Sequence, residues 1–386
     1  MALQYPSQQS RQPERRVVAV ARWPVGGIRT YLRALFEAPA LEGYAFTLVA
    51  PDEEDLKSYL NLTTRRLEWT PCGSSSSAIA RAVLAEIRRK KPQFVHSHGF
   101  ISGSVTAAAC ELTRARHLLT VHDVLLDGQF AGLTGQARKL GLGFGLASSN
   151  HVHCVTADSR DNLLSTYPWF RSLRRKSTVI PHGVDTDLIV RAPRREVPQE
   201  LGCAPGTMIF GFLGRFMAQK GFRYLVEAVG MLKSRGVSPE RMRVLAVGSG
   251  GFLREDRERV TSMGLDGFFT FWPYHPEIAS ILKGIDCLVM PSLWEASGLL
   301  AMEAMVAGTP VIGTDCIGLR ETLSDTPSVI VPPANAQALA DALAKFLEHP
   351  TRNTAAVFQP EALERFSARR CFSTLASLYD RLCQRP

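Results

Sequence analysis

Short apolar runs alternate with segments of helical periodicity along most of the chain. The runs that read as buried strands lie at 17–21, 46–50, 94–98, 117–121 and 151–155, and again at 208–213, 243–247 and 268–271. Helical patterns separate most of them, as in βαβ units whose strands form a parallel sheet. The pattern therefore predicts an α/β protein with two doubly wound domains.

The length of 386 residues also suits two domains. Two prolines and four charged residues interrupt the periodicity at 191–198, where we place the linker. We predict a disordered tail at 1–15, an N-terminal domain at 16–192 and a C-terminal domain at 199–365. A last helix within 366–386 follows the second sheet and is free to pack back across both domains.

The composition is that of a globular protein, with 45% hydrophobic and 21% charged residues. Eight cysteines without a C-x-x-C pair predict reduced thiols and a cytoplasmic location. The charge is uneven, because residues 1–195 carry 26 Lys and Arg against 16 Asp and Glu, while the rest is nearly neutral. The excess indicates a basic surface or an anionic partner such as lipid, nucleic acid or a phosphorylated substrate.

The strongest local signal is the segment 287–312, which reads as strand, loop, helix and strand. Ser297 is the predicted N-cap of the helix, and Gly308 the left-handed residue after its end. Ligands of open α/β sheets bind at the carboxyl ends of the strands, so Glu295 in the loop is expected to face a crevice.

Glu303 lies two turns inside this helix among Ala, Met and Val residues. An unpaired carboxylate would be costly there, so Glu303 needs a polar partner. Two hydroxyl groups of a ligand would serve, and so would a neighbouring backbone group or an arginine. The sequence leaves both possibilities open.

Two cations follow the first strand of the second domain, Arg215 and Lys220, in a loop that begins with Gly214. A guanidinium fork and a lysine point charge together suit a diphosphate. Two cationic side chains in a loop are also commonly just solvent-exposed charges without a ligand.

Gly26 and Gly27 follow the first strand of the chain and precede a helix, an arrangement that suits close approach of backbone N–H groups to an anion. His98 and His122 end two further strands of the same domain. Both histidines are therefore predicted at the same crevice. The sequence contains no P-loop or complete dinucleotide-binding fingerprint, and no spaced His, Cys and carboxylate cluster that would predict a metal site.

In their order these motifs resemble the group 1 glycosyltransferases, a retaining group with the GT-B fold, in which two Rossmann-like domains face each other across a cleft. The matching features span about residues 16–380 and are Gly26-Gly27, His122-Asp123, the Pro-His-Gly-Val-Asp run at 181–185, Gly214-Arg215 through Lys220-Gly221, Val247-Gly248, the segment 286–292 and the E-x7-E pair Glu295 and Glu303.

The resemblance implies that a nucleotide sugar, UDP- or GDP-linked, is the donor substrate and that no metal or other cofactor is needed. It implies that Arg215 and Lys220 bind the diphosphate, that Glu303 holds the ribose, and that Glu295 and His122 lie near the sugar. The positions expected to contact the donor are Gly26, Gly27, Gly214, Arg215, Lys220, Glu295, Ser297, Gly298, Leu299 and Glu303. Ser297 and His182 depart from the usual pattern, which has a bulky residue and an asparagine there.

The acceptor is expected to be a glycan or a lipid-linked molecule in cell-surface polysaccharide or glycolipid synthesis. Residues 133–148 and 167–176 mix apolar and cationic side chains, which predicts peripheral attachment to an anionic membrane surface, or else a basic loop in water. A nucleotide-sugar epimerase and a binding-only relative are the alternative functions. A nucleic-acid partner is not expected, because no stacking platform accompanies the basic half.

Overall fold

The computed structural model describes residues 15–51, 54–60 and 67–384 and contains two parallel β-sheets. Within these residues the strands of the first sheet are β1 (Arg15–Ala21), β2 (Tyr44–Pro51), β3 (Leu67–Cys72), β4 (Phe94–His98), β5 (His117–Val121), β6 (His151–Cys154) and β7 (Ser177–Val179). Those of the second are β8 (Met208–Leu213), β9 (Met242–Val247), β10 (Phe269–Trp272), β11 (Cys287–Met290), β12 (Val311–Thr314) and β13 (Val329–Val331).

Helices cover the faces of the sheets. Those that precede β8 in the chain are α1 (Gly27–Glu37), α2 (Glu54–Tyr59), α3 (Ser76–Lys90), α4 (Phe100–Thr113), α5 (Gly132–Ser148), α6 (Ala157–Thr166), α7 (Thr186–Arg191) and α8 (Val197–Glu200). Those of the C-terminal half are α9 (Phe222–Ser234), α10 (Leu253–Ser262), α11 (Ile278–Gly284), α12 (Leu299–Val306), α13 (Leu319–Leu323), α14 (Ala336–Glu348), α15 (Arg352–Arg365) and α16 (Ala368–Gln384). Further 3-10 turns span Pro39–Leu41, Asp127–Phe130, Pro168–Lys176 and Ala218–Lys220.

The apolar runs become strands because both of their faces are covered. In β1 the residues from Val17 to Ala21 are each at most 1% exposed. A parallel strand covered by helices on both sides needs apolar side chains at successive positions, which is the continuous pattern seen in the sequence. The predicted α/β class with two parallel sheets is confirmed.

The strand order in each sheet determines where a ligand-binding crevice is expected. The first sheet runs β3-β2-β1-β4-β5-β6-β7, and the second runs β10-β9-β8-β11-β12-β13. The order reverses between β1 and β4 and again between β8 and β11, and a crevice opens beyond the carboxyl ends of strands at such a point. The loops after β1, β5, β8 and β11 carry the residues singled out in the sequence.

The connection between the sheets is not extended throughout. α8 begins at Val197, whose side chain is fully buried in the core of the second sheet. The backbone N–H of Arg195 donates to the carbonyl of Ser280 at 3.1 Å. Residues 191–198, predicted as the linker, thus join the C-terminal half through packed contacts.

The chain returns to the first sheet at its end. α15 packs on the second domain through Ala362, while α16 buries Phe372 and Tyr379 in the core beside β1. The crossing lies where Val184 bridges to Ser367, next to Gly183. A Cβ atom on Gly183 would lie 2.5 Å from the carbonyl oxygen of Ser367, so only glycine fits there.

An ion pair between β1 and α16 adds to the contact of the last helix with the first sheet. Arg15, expected in the tail, lies in β1 and forms an ion pair with Asp380 of α16. Residues 1–14 of the predicted tail and the last two residues of the predicted C-terminal segment lie outside the described residues.

Candidate active site

A cleft of about 1200 Å³ separates the carboxyl edges of the two sheets and is lined by residues of both domains. The N-terminal wall comes from the loops after β1, β4 and β5, and the opposite wall from the loops after β8 and β11 and from α12. All the predicted donor-contacting residues, together with His122, line this one cleft.

The glycine turn at the start of α1 faces the other domain. Gly26 has a φ of +55°, and a Cβ atom on it would lie 3.8 Å from the Arg215 guanidinium. A Cβ atom on Gly27 would lie 3.4 Å from the side chain of Leu299. Two glycines therefore keep the gap between the domains open to a ligand at this point.

Arg215 and Lys220 are placed differently. Arg215 is exposed in the cleft, and no acceptor of the described residues bonds to its guanidinium. Lys220 donates from Nζ to Oε1 of Glu295 at 2.6 Å. A lysine ammonium carries three donors, so this ion pair leaves two of them for an anion.

Glu295 is held in place from several sides. Its Oε1 also accepts from Ser292 Oγ at 2.7 Å, and its backbone N–H donates to the Ile317 carbonyl at 3.0 Å. The side chain is 7% exposed. Because Oε1 receives both side-chain donors, Oε2 is left to accept from a ligand.

Glu303 projects from the second turn of α12 into the cleft. Burial raises the pKa of its carboxyl to about 7. Within the described part of the chain no backbone or arginine donor bonds to it, so the structure gives no support to the intramolecular partner that the sequence left open. The remaining candidate partner is a ligand.

The start of α12 corrects one prediction. Gly298, with a φ of +64°, precedes the helix, and no side chain of the described residues caps it. Ser297 is not the N-cap, because its hydroxyl bonds instead to Nδ1 of His182 at 2.9 Å. The first helical bonds run from Ala301 and Met302 to the Gly298 carbonyl, so the amides of the preceding residues remain available to an anion.

His122 belongs to a buried group of rings on the N-terminal wall. Its Nε2 lies 3.2 Å from Nδ1 of His98, and its ring centroid is 4.9 Å from that of Tyr31 and 5.2 Å from that of His182. Burial lowers the pKa of each of these three imidazoles, and neighbouring histidines lower it further. The rings are therefore neutral at pH 7.

Asp123, which follows His122, adds a carboxyl group to the cleft. Burial raises its pKa, and the charge of Glu295 raises it further, while the Val124 N–H bond and Arg215 oppose the shift. The cleft thus carries Arg215 at the glycine turn and carboxyl groups from both domains, Asp123 from the first and Glu295 and Glu303 from the second.

Sequence reasoning missed a set of contacts between the domains. Asp158, at the start of α6, accepts from Nε and Nη2 of Arg320 at 2.8 Å each and from the Gly318 N–H at 3.0 Å. Thr156 Oγ1 donates to the Ala296 carbonyl at 3.1 Å. These bonds hold the Glu295 loop against the N-terminal domain.

Nothing in the local pattern marks Asp158 or Arg320, because their partners are remote along the chain. An acidic residue at the first turn of a helix is an ordinary stabilising feature by itself. Tyr31 and His182 were likewise not predicted as lining residues.

Two facing doubly wound domains, with cations and a carboxylate at the strand ends of one cleft, define the GT-B class. Two family models match the chain in agreement with this class. Residues 25–188 match the Glycosyltransferase Family 4 model, and residues 207–349 match the model described as Glycosyl transferases group 1.

Relatives of known activity are similar over much of the chain. A 2-deoxystreptamine N-acetyl-D-glucosaminyltransferase of Streptomyces fradiae is 30% identical over 326 residues, which is 78% of this chain and 75% of that protein. A D-inositol 3-phosphate glycosyltransferase of Nocardia farcinica is 30% identical, over 63% of this chain and 56% of that protein. The chain belongs to the group 1 glycosyltransferases, and we conclude that it is a glycosyltransferase.

Solved structures share the fold. Anabaena HepE in complex with UDP and glucose superposes with a TM-score of 0.80 at 18% identity, covering 95% of this chain and 100% of that one. Sucrose-phosphate synthase of Thermosynechococcus elongatus has a TM-score of 0.77 at 21% identity, covering 95% and 99%. The two sequence relatives above are named as transferases, so they do not favour the epimerase alternative.

Proposed function

We propose that this protein transfers a hexose from a UDP- or GDP-sugar to a hydroxyl group of an acceptor, with retention of anomeric configuration and without a metal ion. The observation that carries the proposal is the Glu303 carboxyl, which has no bonding partner among the described residues and lines the same cleft as Arg215 and Lys220. A carboxylate accepts two hydrogen bonds from a vicinal diol, which suits the ribose of a nucleotide.

The diphosphate would lie between Arg215, Lys220 and the backbone amides of Leu299 and Leu300 in the first turn of α12. Arg215 faces the cleft unpaired among the described residues, and Lys220 keeps donors beyond its bond to Glu295. Fixed donors aimed at the leaving diphosphate stabilise its charge as the glycosidic bond breaks. In this site protein groups alone would stabilise the negative charge of the leaving diphosphate.

The sugar would then lie between Glu295 and the ring of His122. Glu295 offers Oε2 to a sugar hydroxyl, while Lys220 and Ser292 hold Oε1. In a front-face transfer the acceptor hydroxyl forms the new bond as the diphosphate departs, and its proton passes to the leaving phosphate oxygen. This route needs no second carboxylate as a nucleophile.

Donor identity is tested by incubating the protein with UDP-, GDP- and ADP-sugars without an acceptor and following slow hydrolysis by mass spectrometry. We expect one nucleotide series to be hydrolysed and EDTA to have no effect. Loss of hydrolysis in EDTA that Mg²⁺ restores would contradict the metal-independent mechanism.

The phosphate site is tested in the same assay. Lys220→Ala should abolish hydrolysis, whereas Arg223→Ala, an exposed cation on α9 outside the cleft, should leave it unchanged. Unchanged hydrolysis in Lys220→Ala would show that the diphosphate binds elsewhere.

The acceptor is proposed to be a glycan or a lipid-linked molecule. Relatives of this chain include enzymes named for 2-deoxystreptamine, for inositol 3-phosphate and for the lipopolysaccharide core, so the acceptor test needs a cyclitol arm and a lipid-linked arm. A transfer product with only the cyclitols would replace the lipid-linked proposal.

A surface formed by α5 and the turn Pro168–Lys176 supports membrane attachment. Leu133, Leu140 and Phe144 are 90%, 76% and 47% exposed on α5, and Trp169 of the turn is 45% exposed. Tyr167 ties the two segments together by donating to the Lys139 carbonyl at 2.8 Å. No helix of the described residues is long and apolar enough to cross a membrane.

Cations surround this apolar surface, namely Arg138, Lys139, Arg171, Arg174, Arg175 and Lys176. Apolar side chains next to lysine and arginine suit the interface of an anionic bilayer.

Binding to phosphatidylglycerol vesicles at low salt should therefore be lost in a Leu133→Ser, Leu140→Ser variant. Leu112→Ser, which changes an exposed leucine of α4, is the control. Wild-type protein that fails to cosediment would overturn the membrane proposal.

A further inference from the structure

His182 lies on the connection that follows β7 and faces the cleft. Its side chain is 5% exposed, and its ring centroid is 4.8 Å from that of Tyr31 and 5.2 Å from that of His122. The ring therefore forms part of the N-terminal wall, beside the start of α12 in the other domain.

One ring nitrogen is used and the other is not. Nδ1 bonds to Ser297 Oγ at 2.9 Å, across the contact between the domains. Nε2 is buried and has no hydrogen-bond partner in the described residues. A buried polar atom without a partner is costly, so a ligand atom at Nε2 would remove that cost.

The pair with Ser297 determines what His182 can bind. Burial lowers the pKa of His182 to about 3, so the ring is neutral near pH 7. If the Ser297 hydroxyl donates to Nδ1, Nε2 carries the proton and donates. If the hydroxyl rotates and accepts from Nδ1, Nε2 accepts. A hydroxyl group of a ligand satisfies either arrangement.

The main chain that carries His182 is fixed on one side by a directed chain of hydrogen bonds. His153 Nε2 contacts the Ile180 carbonyl at 2.9 Å and must carry the proton, because a carbonyl only accepts. Thr120 Oγ1 therefore donates to His153 Nδ1 at 3.0 Å, and it accepts from His96 Nε2 at 2.6 Å. Tyr379 of α16 then donates to His96 Nδ1 at 2.6 Å.

The main chain that carries His182 is also fixed on its C-terminal side. Gly183 crosses directly over the Ser367 backbone, and Val184 exchanges backbone bonds with Phe366 and Ala368. His182 thus has little freedom to move toward another partner. A rigid position is what a residue needs in order to discriminate between ligands.

We propose that His182 is a specificity-determining residue, whose Nε2 hydrogen-bonds to a neutral hydroxyl group of a sugar or cyclitol ring, and that Ser297 sets this contact from the opposite domain. The proposal deepens the transferase function above and rests on it. The hydroxyl can belong to the transferred sugar or to the acceptor.

The pair is tested with His182→Phe, Ser297→Ala and the double variant, using UDP-glucose and UDP-N-acetylglucosamine. His182→Phe should lower kcat/KM about tenfold or more, because one hydrogen bond to a buried neutral group is lost. Ser297→Ala should lower kcat/KM for the same substrate, and the double variant should be no worse than His182→Phe. A loss in donor hydrolysis without acceptor assigns the hydroxyl to the donor sugar, and a loss confined to the KM of the acceptor assigns it to the acceptor.

Two further variants distinguish a role of His182 in specificity from a purely structural role. His117→Asn removes a buried ring that is paired with Ser97 and Ser149 outside the cleft, and it should lower stability without changing specificity. His182→Asn, which restores a hydrogen-bonding group, should recover part of the kcat/KM lost in His182→Phe. Additive effects of the two single variants, or kcat/KM within twofold of wild type in His182→Phe for every substrate, would overturn the proposal.

Nitrogen-15 NMR of the imidazoles gives a test independent of turnover. The resonance that disappears in His182→Phe should shift in the wild-type protein on addition of UDP-glucose, glucose or myo-inositol, but not with UDP alone. If the wild type hydrolyses no donor and this resonance still moves, the transferase function fails while the His182 site stands. A resonance that none of the three ring compounds moves at saturation would overturn the site.

Discussion

Glu303 is a carboxyl group of the cleft to which no donor of the described residues bonds. Its carboxyl lies in an apolar helix without a bonding partner in the described residues, and burial raises its pKa to about 7. Lys220 and Glu295, in contrast, partly satisfy each other at 2.6 Å. The two glutamates of the E-x7-E pair therefore have different electrostatic states before any ligand binds.

Replacement of Glu303 by glutamine should stabilise the protein at alkaline pH. The folded pKa of about 7 lies above the unfolded value of about 4.5, so the folded state holds this proton more tightly. The resulting stability is complete below the unfolded pKa and is lost as the pH rises through 7. Urea denaturation at pH 8 should show Glu303→Gln more stable than wild type by about 1–3 kcal/mol. The two proteins should differ little at pH 4.5, and a stabilisation equal at both pH values would contradict the assigned ionisation.

Nucleotide affinity should depend on the same ionisation. If the carboxylate accepts from the ribose hydroxyls, the wild type should bind UDP more tightly as Glu303 ionises. The ratio of the UDP affinity of the wild type to that of Glu303→Gln should therefore rise between pH 6 and 8. Isothermal titration calorimetry with UDP at three pH values measures this, with the glutamine variant as the control for ionisation of the nucleotide. A constant ratio across the range would place the ribose away from Glu303.

At the scale of elements, the start of α6 joins the two domains. Burial raises the pKa of Asp158, but the bonds from Arg320 and from the Gly318 N–H together outweigh that effect and lower it. Gly318 in turn lies against the Glu295 loop, where a Cβ atom on it would be 2.1 Å from the Glu295 carbonyl oxygen. Asp158 therefore acts on the active-site loop through the loop at 315–320.

Asp158→Asn should weaken donor use more than it weakens folding. Arg320 is 48% exposed, and exposed ion pairs contribute at most about 1 kcal/mol to stability. The loss of a bidentate contact between domains should nevertheless raise the KM for the donor about three- to tenfold, since the Glu295 loop is less well positioned. Asp161→Asn is the control, because Asp161 lies on the same helix and, among the residues that the structure describes, pairs with Arg160 alone. Equal KM values in the two variants would show that this contact does not position the loop.

At the scale of the whole molecule, a buried histidine network ties α16 to the first sheet. Burial lowers the pKa of His153 to about 4 and of His117 to about 3, and it lowers that of His96 well below its usual value. In the unfolded chain the same groups titrate near 6.5. The N-terminal domain thus depends on histidines that must stay neutral.

The protein should therefore lose stability in mild acid. Between about pH 4 and 6.5 the unfolded chain binds protons that the folded chain excludes, so stability is complete above 6.5 and falls as the pH decreases. Each such histidine contributes a slope approaching about 1.4 kcal/mol per pH unit. Urea denaturation from pH 7.5 to 5 measures the slope, which should be shallower by about that amount in His117→Asn. A slope unchanged by this substitution would contradict the lowered pKa of His117, which pairs with Ser97 and Ser149 beside the bonds to α16.

Most of the strands could be predicted from the sequence, because a strand covered on both faces shows its burial in its own apolar run. The strands β3, β7 and β13 were not predicted, since most of their side chains are only partly buried or exposed. The same patterns place His122, Arg215 and Glu295 at strand ends, and parallel strands bring their carboxyl ends to one edge. Local sequence therefore determined the two domains and placed these residues at the cleft, but it did not identify Tyr31 or His182 there.

Only the tertiary structure decided how these residues are paired. Lys220 bonds to Glu295 across 75 positions, and His182 bonds to Ser297 across 115. Ser297 shows the limit of local rules: its residue type suits an N-cap, yet its hydroxyl reaches a histidine on the connection between the domains. Local patterns report only on neighbours along the chain, whereas these contacts exist because two separately specified sheets face each other.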